Sequence, residues 1–344
     1  MFYNLFDPAP LTQLHIIIAG TSFILVYLSL AIMLKQPTRF LRVVPAHHTV
    51  YFAGFVLVAV IALIAFVAIE SKSLGFGLLS AAFLTLLIGL YDEQYSLSPR
   101  AQLVWQIMIA TIVVLWGWRI NYISQPSAHG IIHLDQFTLG PLVWPASFLT
   151  IAWLLLIMNA INWLDGIDGL AAAVGVIALL TLSLLTLLPS VQDSRTLTIS
   201  LLGAGAVLGF LIWNFPPARV FLGTSGSWFL GLYIGLVAIM NGGKIVTTLL
   251  VLAIPIVDLF FVIIKRLFTG HHPWLGDKTS HLHYRLVRVG LSPRTIVISA
   301  IVISLLLGVG ALTLQTRQKI IAFIASVVML SLISVELIWH ARRL

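Results

Sequence analysis

The 344-residue chain is 60% hydrophobic and only 9% charged, with a mean hydropathy of +1.07, whereas a soluble domain carries about 25% charged residues. It contains no cysteine, which excludes disulfides, cysteine-ligated zinc, iron–sulfur clusters and a thiol nucleophile. Its net charge is +8, but the chain has no soluble basic domain, and this argues against nucleic-acid binding.

Eleven apolar windows follow one another along the chain, each near the length that a bilayer core of about 30 Å requires. They run from Leu14 to Leu34, Val50 to Ile69, Ser73 to Tyr91, Ala101 to Trp118, Ala146 to Asn162, Leu170 to Leu188, Thr196 to Phe215, Ser227 to Met240, Ile245 to Ile264, Thr295 to Leu314 and Ile320 to Trp339. The eighth is short and rich in glycine, which predicts a helix buried among its neighbours. We therefore expect an all-α polytopic integral membrane protein that forms one transmembrane domain over residues 1–344.

The basic residues predict the orientation, because cytoplasmic loops are enriched in Lys and Arg. If the loop after the first window is cytoplasmic, that side collects thirteen of the 19 Lys and Arg. Eleven spans then place the N-terminus outside and the C-terminus inside. The longest loop on the cytoplasmic side, residues 265–294, is rich in His and Arg. This basic side also favours contacts with anionic lipid headgroups and nucleotide phosphates.

Carboxylates converge on the same side, in a chain with only 11 acidic residues. Those predicted there are Asp92, Glu93, Asp165, Asp168, Asp258 and Asp277. The segment N-A-I-N-W-L-D-G-I-D-G spaces Asn162, Asp165 and Asp168 three residues apart, so a continuous helix would place them on one face. A divalent cation or a pyrophosphate-linked substrate requires such a face. Wetter cytoplasmic loops would equally explain any one carboxylate taken alone.

Two further cytoplasmic segments carry polar motifs. His281 and His283 form an H-x-H pair, which is a weak zinc signal without a third strong ligand. With Arg285 nearby, imidazole and guanidinium donors suit phosphate oxygens, so we interpret the segment as a phosphate-binding loop; a metal site and an ordinary basic loop stay open. The turn at 216–227 mixes Gly, Ser and Thr before a helix and can offer N–H groups to a phosphate. Phe221 beside it could stack on a base or simply pack.

Four motifs in this order resemble the polyprenyl-phosphate N-acetylhexosamine-1-phosphate transferases, a superfamily that includes the phospho-MurNAc-pentapeptide translocase. They are Asp-Glu followed by L-S-P-R, N-A-I-N-W-L-D-G-I-D-G-L-A, P-A-R-V-F-L-G-T-S-G-S and D-K-T-S-H-L-H-Y-R-L. The resemblance covers about Ala53 to Arg294 and implies a Mg²⁺-dependent enzyme, with Mn²⁺ as a substitute, in the bacterial plasma membrane.

The implied reaction initiates cell-envelope glycan synthesis on the cytoplasmic face. The phosphate of undecaprenyl phosphate or a related polyprenyl phosphate attacks the β-phosphate of a UDP-amino sugar, giving polyprenyl-pyrophosphoryl-sugar and UMP. The S-H-L-H-Y-R-L form and short cytoplasmic loops favour UDP-GlcNAc as donor, ahead of UDP-GalNAc and UDP-MurNAc-pentapeptide. The implied partners are these substrates and membrane lipids, and the resemblance also allows a homodimer.

The resemblance also implies catalytic and metal-binding residues. Asp92 matches an acid that binds the metal or accepts the proton of the lipid phosphate, and Asp165 matches an acid of the catalytic centre. Asn162 matches a metal-side residue, and Glu93 stands where a second Asp is usual. The implied metal ligands are therefore Asp92, Glu93, Asn162 and Asp165.

Other matches concern the nucleotide and its phosphates. Asp168 matches a residue that contacts uracil, and Phe221 matches an aromatic that stacks on it. His281 and His283 match the pyrophosphate-binding histidine loop, to which we add Arg285.

The departures from the family pattern leave two other functions open. Thr224 stands where the family has an Asp that binds magnesium, and a hydroxyl is a far weaker ligand for a hard cation than a carboxylate. A non-catalytic relative that binds nucleotide sugar or polyprenyl phosphate would explain this change. Tyr284 replaces the third histidine of the loop, and His47 and His48 have no assigned role. A transporter would instead place carboxylates in mid-helix, where only Glu336 and Asp258 are expected.

Overall fold

The computed structural model describes residues 12–35, 52–124, 130–240, 244–270, 272 and 280–341. Within these residues the chain forms thirteen helices and four short strands. The helices are α1 (Gln13–Lys35), α2 (Phe52–Ala68), α3 (Lys72–Tyr95), α4 (Pro99–Leu115), α5 (Ala146–Leu164), α6 (Leu170–Thr186), α7 (Ser194–Asn214), α8 (Gly223–Ile239), α9 (Ile245–Val251), α10 (Ala253–Phe268), α11 (Leu282–Arg288), α12 (Pro293–Thr313) and α13 (Thr316–Ala341). The strands are β1 (Tyr122–Ser124), β2 (Ile131–His133), β3 (Phe137–Leu139) and β4 (Leu142–Trp144).

Helical structure lies at each of the eleven predicted windows, and the polytopic membrane prediction is confirmed. Among the described residues six helices are long and apolar enough to cross a membrane, namely α1, α3, α5, α7, α12 and α13, and the bent pair α9–α10 makes a seventh. The helices at the remaining four windows, α2, α4, α6 and α8, have 17 residues each, which is about 25 Å of helix. The count of eleven spans, the orientation and the single domain stay predictions.

Two β-hairpins between α4 and α5 correct the all-α expectation. β1 pairs antiparallel with β2, with Tyr122 opposite His133, and β3 pairs with β4, with Phe137 opposite Trp144. Each strand has only three residues. An alternation of two needs at least four residues to be recognised, so the sequence could not reveal strands this short.

The ninth window is broken rather than continuous. α9 ends at Val251, and α10 leaves it at an angle of 79°. Pro255 explains the position of the break, because a proline ring excludes the carbonyl four residues earlier from helical geometry and removes one hydrogen-bond donor. That earlier residue is Val251.

The predicted 265–294 loop is partly helical, since α10 extends into it and α11 lies within it. Asp277, Lys278, His47 and His48 lie outside the described residues.

Helix α8 forms the centre of the bundle, as its short, glycine-rich sequence predicts. All of its residues from Ser225 to Ile239 are buried. A Cβ added at Gly89 of α3 would collide with the backbone of Ser225, and one at Gly54 of α2 would collide with the carbonyl of Leu222. The absence of side chains at these two glycines therefore lets α2 and α3 approach the N-terminal end of α8.

Candidate active site

Asp92, in the last turn of α3, is held by donors from three directions. Its Oδ1 accepts hydrogen bonds from the backbone N–H of Leu97 at 2.8 Å and from the side-chain amide of Gln102 at 3.0 Å. Its Oδ2 accepts a hydrogen bond from the Thr224 hydroxyl at 2.6 Å. The side chain is buried, so α3, α4 and α8 together fix the orientation of this carboxylate.

Glu93 caps the N-terminus of α8. Its carboxylate accepts hydrogen bonds from the backbone N–H groups of Thr224 and Ser225, and the Ser225 hydroxyl lies 3.4 Å from Oε1. Gly223 adopts a φ of +68°, and a Cβ there would collide with Oε1 of Glu93. Negative charge is favourable at a helix N-terminus. The sequence did not predict this capping role, and the role of Glu93 as a metal ligand stays a prediction.

The N-A-I-N-W-L-D-G-I-D-G segment does not continue as a helix through Asp168, so the expectation of a single helical face is wrong. α5 ends at Leu164, Asp165 caps it, and Gly169 takes a φ of +74° before α6 begins. Only Asn162 remains in the helix, where its Oδ1 accepts a hydrogen bond from the Ser227 hydroxyl of α8 at 2.9 Å. The intervening glycines permit the turn, and contacts with other elements gather the polar side chains instead.

The turn that carries Asp168 contacts the turn that carries Phe221. Oδ2 of Asp168 accepts a hydrogen bond from the backbone N–H of Ala218 at 3.0 Å. Asn214 joins the same two turns, because its Oδ1 accepts from the N–H of Gly169 at 3.0 Å while its Nδ2 donates to the carbonyl of Val220 at 2.8 Å. The structure thus brings together the two predicted nucleotide contacts.

Asn214 is a site residue that the sequence reasoning missed. It ends an apolar helix just before two prolines, which is the same signal that singled out Asn162. Phe221 is 36% exposed, as a residue that stacks on a ligand must be.

Asp165 lies in a crowded electrostatic environment. Burial raises the pKa of its carboxyl well above the usual range, and the neighbouring charges of Asp168 and Glu93 raise it further. Burial also raises the pKa of the Tyr284 phenol, and the charge of Asp165 adds to that shift. Three carboxylates and a phenol therefore converge at this end of the bundle.

His283 packs directly on the turn after Asp165. A Cβ at Gly166 would collide with Nε2 of His283 and would lie 2.7 Å from the Tyr284 hydroxyl. The imidazole is 3% exposed, and burial lowers the pKa of His283 to about 4, with a further lowering by His281 and Arg285 that Asp258 partly offsets. The ring is therefore neutral at pH 7.

His281 and Arg285 are both bound to Asp258 of α10. Nδ1 of His281 lies 2.9 Å from Oδ2 of Asp258, while Oδ1 accepts from the N–H of Leu282 at 2.7 Å and from Nη2 of Arg285 at 3.3 Å. Nη1 of Arg285 donates to the carbonyl of Ser334 in α13 at 3.0 Å. This guanidinium holds α11 between α10 and α13, and its phosphate-binding role stays a prediction.

An apolar cavity of about 440 Å³ opens between α10 and α13 beside this cluster. It is lined by residues of α10 from Ile256 to Lys265 and of α13 from Phe323 to Ser331. Phe261 of its wall packs against the Arg285 guanidinium, with 4.8 Å from Cζ to the ring centroid. An apolar surface therefore extends up to the predicted phosphate-binding loop.

The oxygen donors at this end suit a hard cation such as Mg²⁺, which takes carboxylate and carbonyl oxygens and usually keeps several waters. Burial is the main cause of the raised pKa of Asp165, and the charges of Asp168 and Glu93 add to it; a divalent cation beside these carboxylates would lower that pKa. Among the described residues, however, no three His, Asp or Glu side chains form a group that could hold a metal ion. A cation held by this donor set would therefore have to complete its coordination with water and substrate phosphates.

Residues 75–242 match the sequence model of the family described as glycosyl transferase family 4. A probable undecaprenyl-phosphate N-acetylglucosaminyl 1-phosphate transferase of Bacillus subtilis (strain 168) is 30% identical over 241 residues, which make up 68% of this chain and 64% of that protein. A decaprenyl-phosphate N-acetylglucosaminephosphotransferase of Mycobacterium leprae is 32% identical over 236 residues, 61% of this chain and 57% of that protein. A phospho-N-acetylmuramoyl-pentapeptide-transferase of Ruegeria pomeroyi is 35% identical over 134 residues, 38% of this chain and 36% of that protein. The chain spans less than two thirds of the length of these relatives.

Proposed function

Because residues 75–242 match the model of glycosyl transferase family 4, we propose that this chain is a member of that family and a phosphotransferase that moves N-acetylglucosamine 1-phosphate from UDP-GlcNAc to a polyprenyl phosphate. Two of its relatives carry names that specify transfer of a phosphorylated N-acetylglucosamine to undecaprenyl or decaprenyl phosphate. The third is named for the muramoyl-pentapeptide, which keeps that sugar as the runner-up. The bacterial source of all three supports a plasma-membrane location.

One observation carries the proposal: the motifs that resemble the family meet at one end of the bundle although they are far apart in sequence. Asp92 contacts Thr224 across 132 residues, and Asn162 contacts Ser227 across 65 residues. These contacts place the polar groups that phosphoryl transfer requires within one site. The apolar cavity between α10 and α13 adjoins Arg285 of the predicted phosphate-binding loop through Phe261, which supports a lipid acceptor.

In the proposed reaction an oxygen of the polyprenyl phosphate forms a new bond to the β-phosphorus of UDP-GlcNAc. The bond from that phosphorus to the bridging oxygen breaks, and the oxygen leaves with UMP. Asp92, held by three donors, accepts the remaining proton of the attacking phosphate. Asp168 and Phe221 hold the nucleobase, and the loop of His281 and His283 holds the pyrophosphate. Catalysis of this kind depends on positioning and on charge stabilisation.

Mg²⁺ is part of the proposal, with Asp92, Asn162 and Asp165 as its protein ligands and Glu93 beside them. When bound, the cation supplies positive charge that neutralises the phosphates of the two substrates. The protein side chains orient those phosphates for the transfer.

The test is release of UMP by purified protein supplied with polyprenyl phosphate and UDP-GlcNAc, UDP-GalNAc or UDP-MurNAc-pentapeptide in turn. We expect UMP with UDP-GlcNAc. Asp92→Asn and Asp165→Asn should each lower the rate by more than about 100-fold, equivalent to about 2.7 kcal/mol of barrier. Glu93→Gln should cost less, because the amide oxygen still accepts from the N–H groups of α8. Asp193→Asn, at the opposite end of the bundle, is the matched control. Near-normal UMP release by folded Asp92→Asn and Asp165→Asn would refute the assignment.

Thr224 supports a second candidate, a relative that binds its ligands without transfer. Its hydroxyl donates a hydrogen bond to Oδ2 of Asp92. A carboxylate in its place would repel Asp92 unless a cation lay between them. Binding of UDP-GlcNAc without UMP release, at every Mg²⁺ and Mn²⁺ concentration tried, would favour this binding protein over the enzyme.

A further inference from the structure

The carboxylate of Asp258 is buried behind the histidine loop and has no part in the reaction described above. Both of its oxygens form hydrogen bonds with residues at the N-terminal end of α11. Oδ2 meets Nδ1 of His281, and Oδ1 accepts from the N–H of Leu282 and from Arg285. Asp258, His281 and Arg285 are each less than 10% exposed. A buried ion pair contributes little to net stability because desolvation offsets the attraction, so this arrangement calls for another explanation.

The contact with Asp258 determines which nitrogen of His281 carries the proton. An ionised carboxylate can only accept hydrogen bonds, so Nδ1 must be the donor, and Nε2 is left for other partners. The bond that one ring nitrogen makes sets the state of the other. The ring plane is also fixed, because Trp163 packs edge-on against it at 5.0 Å and His283 stacks on it at 5.7 Å with an interplanar angle of 7°.

The orientation of His281 reaches the reacting centre through His283. The two rings are parallel, and His283 packs on Gly166 next to Asp165. Both ring nitrogens of His283 are buried without a hydrogen-bond partner among the described residues. A shift or a flip of His281 would therefore displace the ring that lies against the catalytic turn.

We propose that Asp258 is a positioning residue for the sugar-phosphate transfer: it holds His281 in the Nδ1–H tautomer, with Nε2 free for the substrate phosphates. When Nε2 takes up a proton from solvent, it donates to a phosphate oxygen, and the carboxylate of Asp258 balances the charge of the ring, as an aspartate does for a catalytic histidine. The proposal rests on the proposed function for its substrate, but the tautomer itself does not.

The first test is therefore independent of activity. The full-length protein, labelled with ¹⁵N-histidine and purified in detergent, is examined by NMR for the ring nitrogens of each His. The signals of His281 are identified by their loss in His281→Gln, a variant that leaves Asp258 paired with Arg285 and Leu282. We expect the proton on Nδ1. A proton on Nε2 with a bare Nδ1 in the wild type would overturn the proposal, whatever the enzyme does.

The second test uses Asp258→Asn in two backgrounds. The asparagine oxygen can still accept from Leu282 and Arg285, but its NH₂ group then faces Nδ1 and forces the proton of His281 onto Nε2. We expect kcat for UMP release to fall about 10- to 100-fold, as loss of a supporting partner does elsewhere, with little change in KM for UDP-GlcNAc. In a His281→Gln background the same change should alter kcat by less than about twofold, because the two residues act as one unit.

Asp193→Asn is the matched control for the second test. Asp193 is also buried and caps α7 through the N–H of Thr196, and asparagine caps equally well, so kcat should not change. An equal loss of kcat from Asp258→Asn in both backgrounds would mean that Asp258 acts on the fold alone, and the proposal would be wrong. If Asp258→Asn does not fold, the NMR measurement of the His281 tautomer in the wild type decides whether the proposal holds. A wild type that releases no UMP while His281 carries its proton on Nδ1 would contradict the proposed function and leave the Asp258 contact supported.

Discussion

Replacing Thr224 by aspartate would convert a hydrogen bond into a repulsion between two carboxylates. In the wild type the Thr224 hydroxyl donates to Asp92 at 2.6 Å; an ionised carboxylate has no proton to donate. Its charge would lie about 4 Å from that of Asp92, which costs about 4 kcal/mol at an effective dielectric constant of about 20. The position is in the first turn of α8, where negative charge gains about 0.3 to 1 kcal/mol. The net destabilisation is about 3 kcal/mol.

Mg²⁺ should reverse most of this loss, because carboxylate oxygens are its preferred protein ligands. The assay is thermal unfolding of wild type, Thr224→Asp and Thr224→Asn in detergent, in EDTA and in Mg²⁺. Thr224→Asn is the matched control, since it has the same shape as aspartate without the charge. We expect Thr224→Asp to unfold at the lowest temperature in EDTA and to gain the most from Mg²⁺.

Equal unfolding temperatures for the two variants in EDTA, or no response of Thr224→Asp to Mg²⁺, would refute this account of the site. Turnover gives a separate answer. A wild type that works with weak apparent affinity for Mg²⁺ has altered metal coordination, and Thr224→Asp need not be faster because the new charge also repels the pyrophosphate of the donor. If the wild type releases no UMP but the Thr224→Asp variant does, the natural protein is catalytically disabled.

Three further predictions concern orientation, pH and packing. In this cysteine-free chain, a cysteine at Arg288 should be protected from an impermeant thiol reagent in intact cells and one at His133 should react; the reverse pattern would contradict a cytoplasmic site. The pKa of His283, about 4 in the folded state and about 6.5 in the unfolded chain, means that the unfolded state binds the proton first. The unfolding free energy should therefore fall by roughly 2 to 3 kcal/mol between pH 6.5 and pH 4. His283→Gln should lack this part of the slope when unfolding is followed across the range, and an unchanged slope would show that the folded imidazole is not shielded. Gly166→Ala should slow UMP release by up to about 100-fold, because its Cβ displaces His283 and Tyr284 and misplacement by about 1 Å can cost that much; a normal rate would separate these side chains from the reaction.

The sequence was sufficient for the helices, because runs of apolar residues of bilayer length have few other interpretations. It was also sufficient for the convergence of Glu93 and Asp165, since both follow spans on the same predicted side. It was insufficient where local backbone geometry decides. The spacing of three between Asn162, Asp165 and Asp168 predicted one helical face, but Gly169 adopts a left-handed φ and the helix ends first.

Roles that depend on a partner distant in sequence were equally inaccessible. Glu93 caps a helix that begins 130 residues later, and the sequence marked it only as an acid beside another acid. Asp258 lies on α10, after the break in the ninth span, and meets His281 23 residues later. A break at Pro255 could be predicted from the sequence. The 79° angle of the break and the contact of Asp258 with His281 depend on how α10 packs against the rest of the bundle.

The burial of α8 from Ser225 to Ile239 keeps this central helix out of contact with the bilayer. Hydrophobic mismatch tilts or strains helices that touch annular lipid, and α8 touches none along Ser225 to Ile239. Membranes of different thickness would act first on α12 and α13, which expose many large apolar side chains. Thr224 instead meets Asp92 of α3, where the close approach of Gly89 to Ser225 brings the two helices together, and this is a contact between protein atoms that annular lipid does not enter.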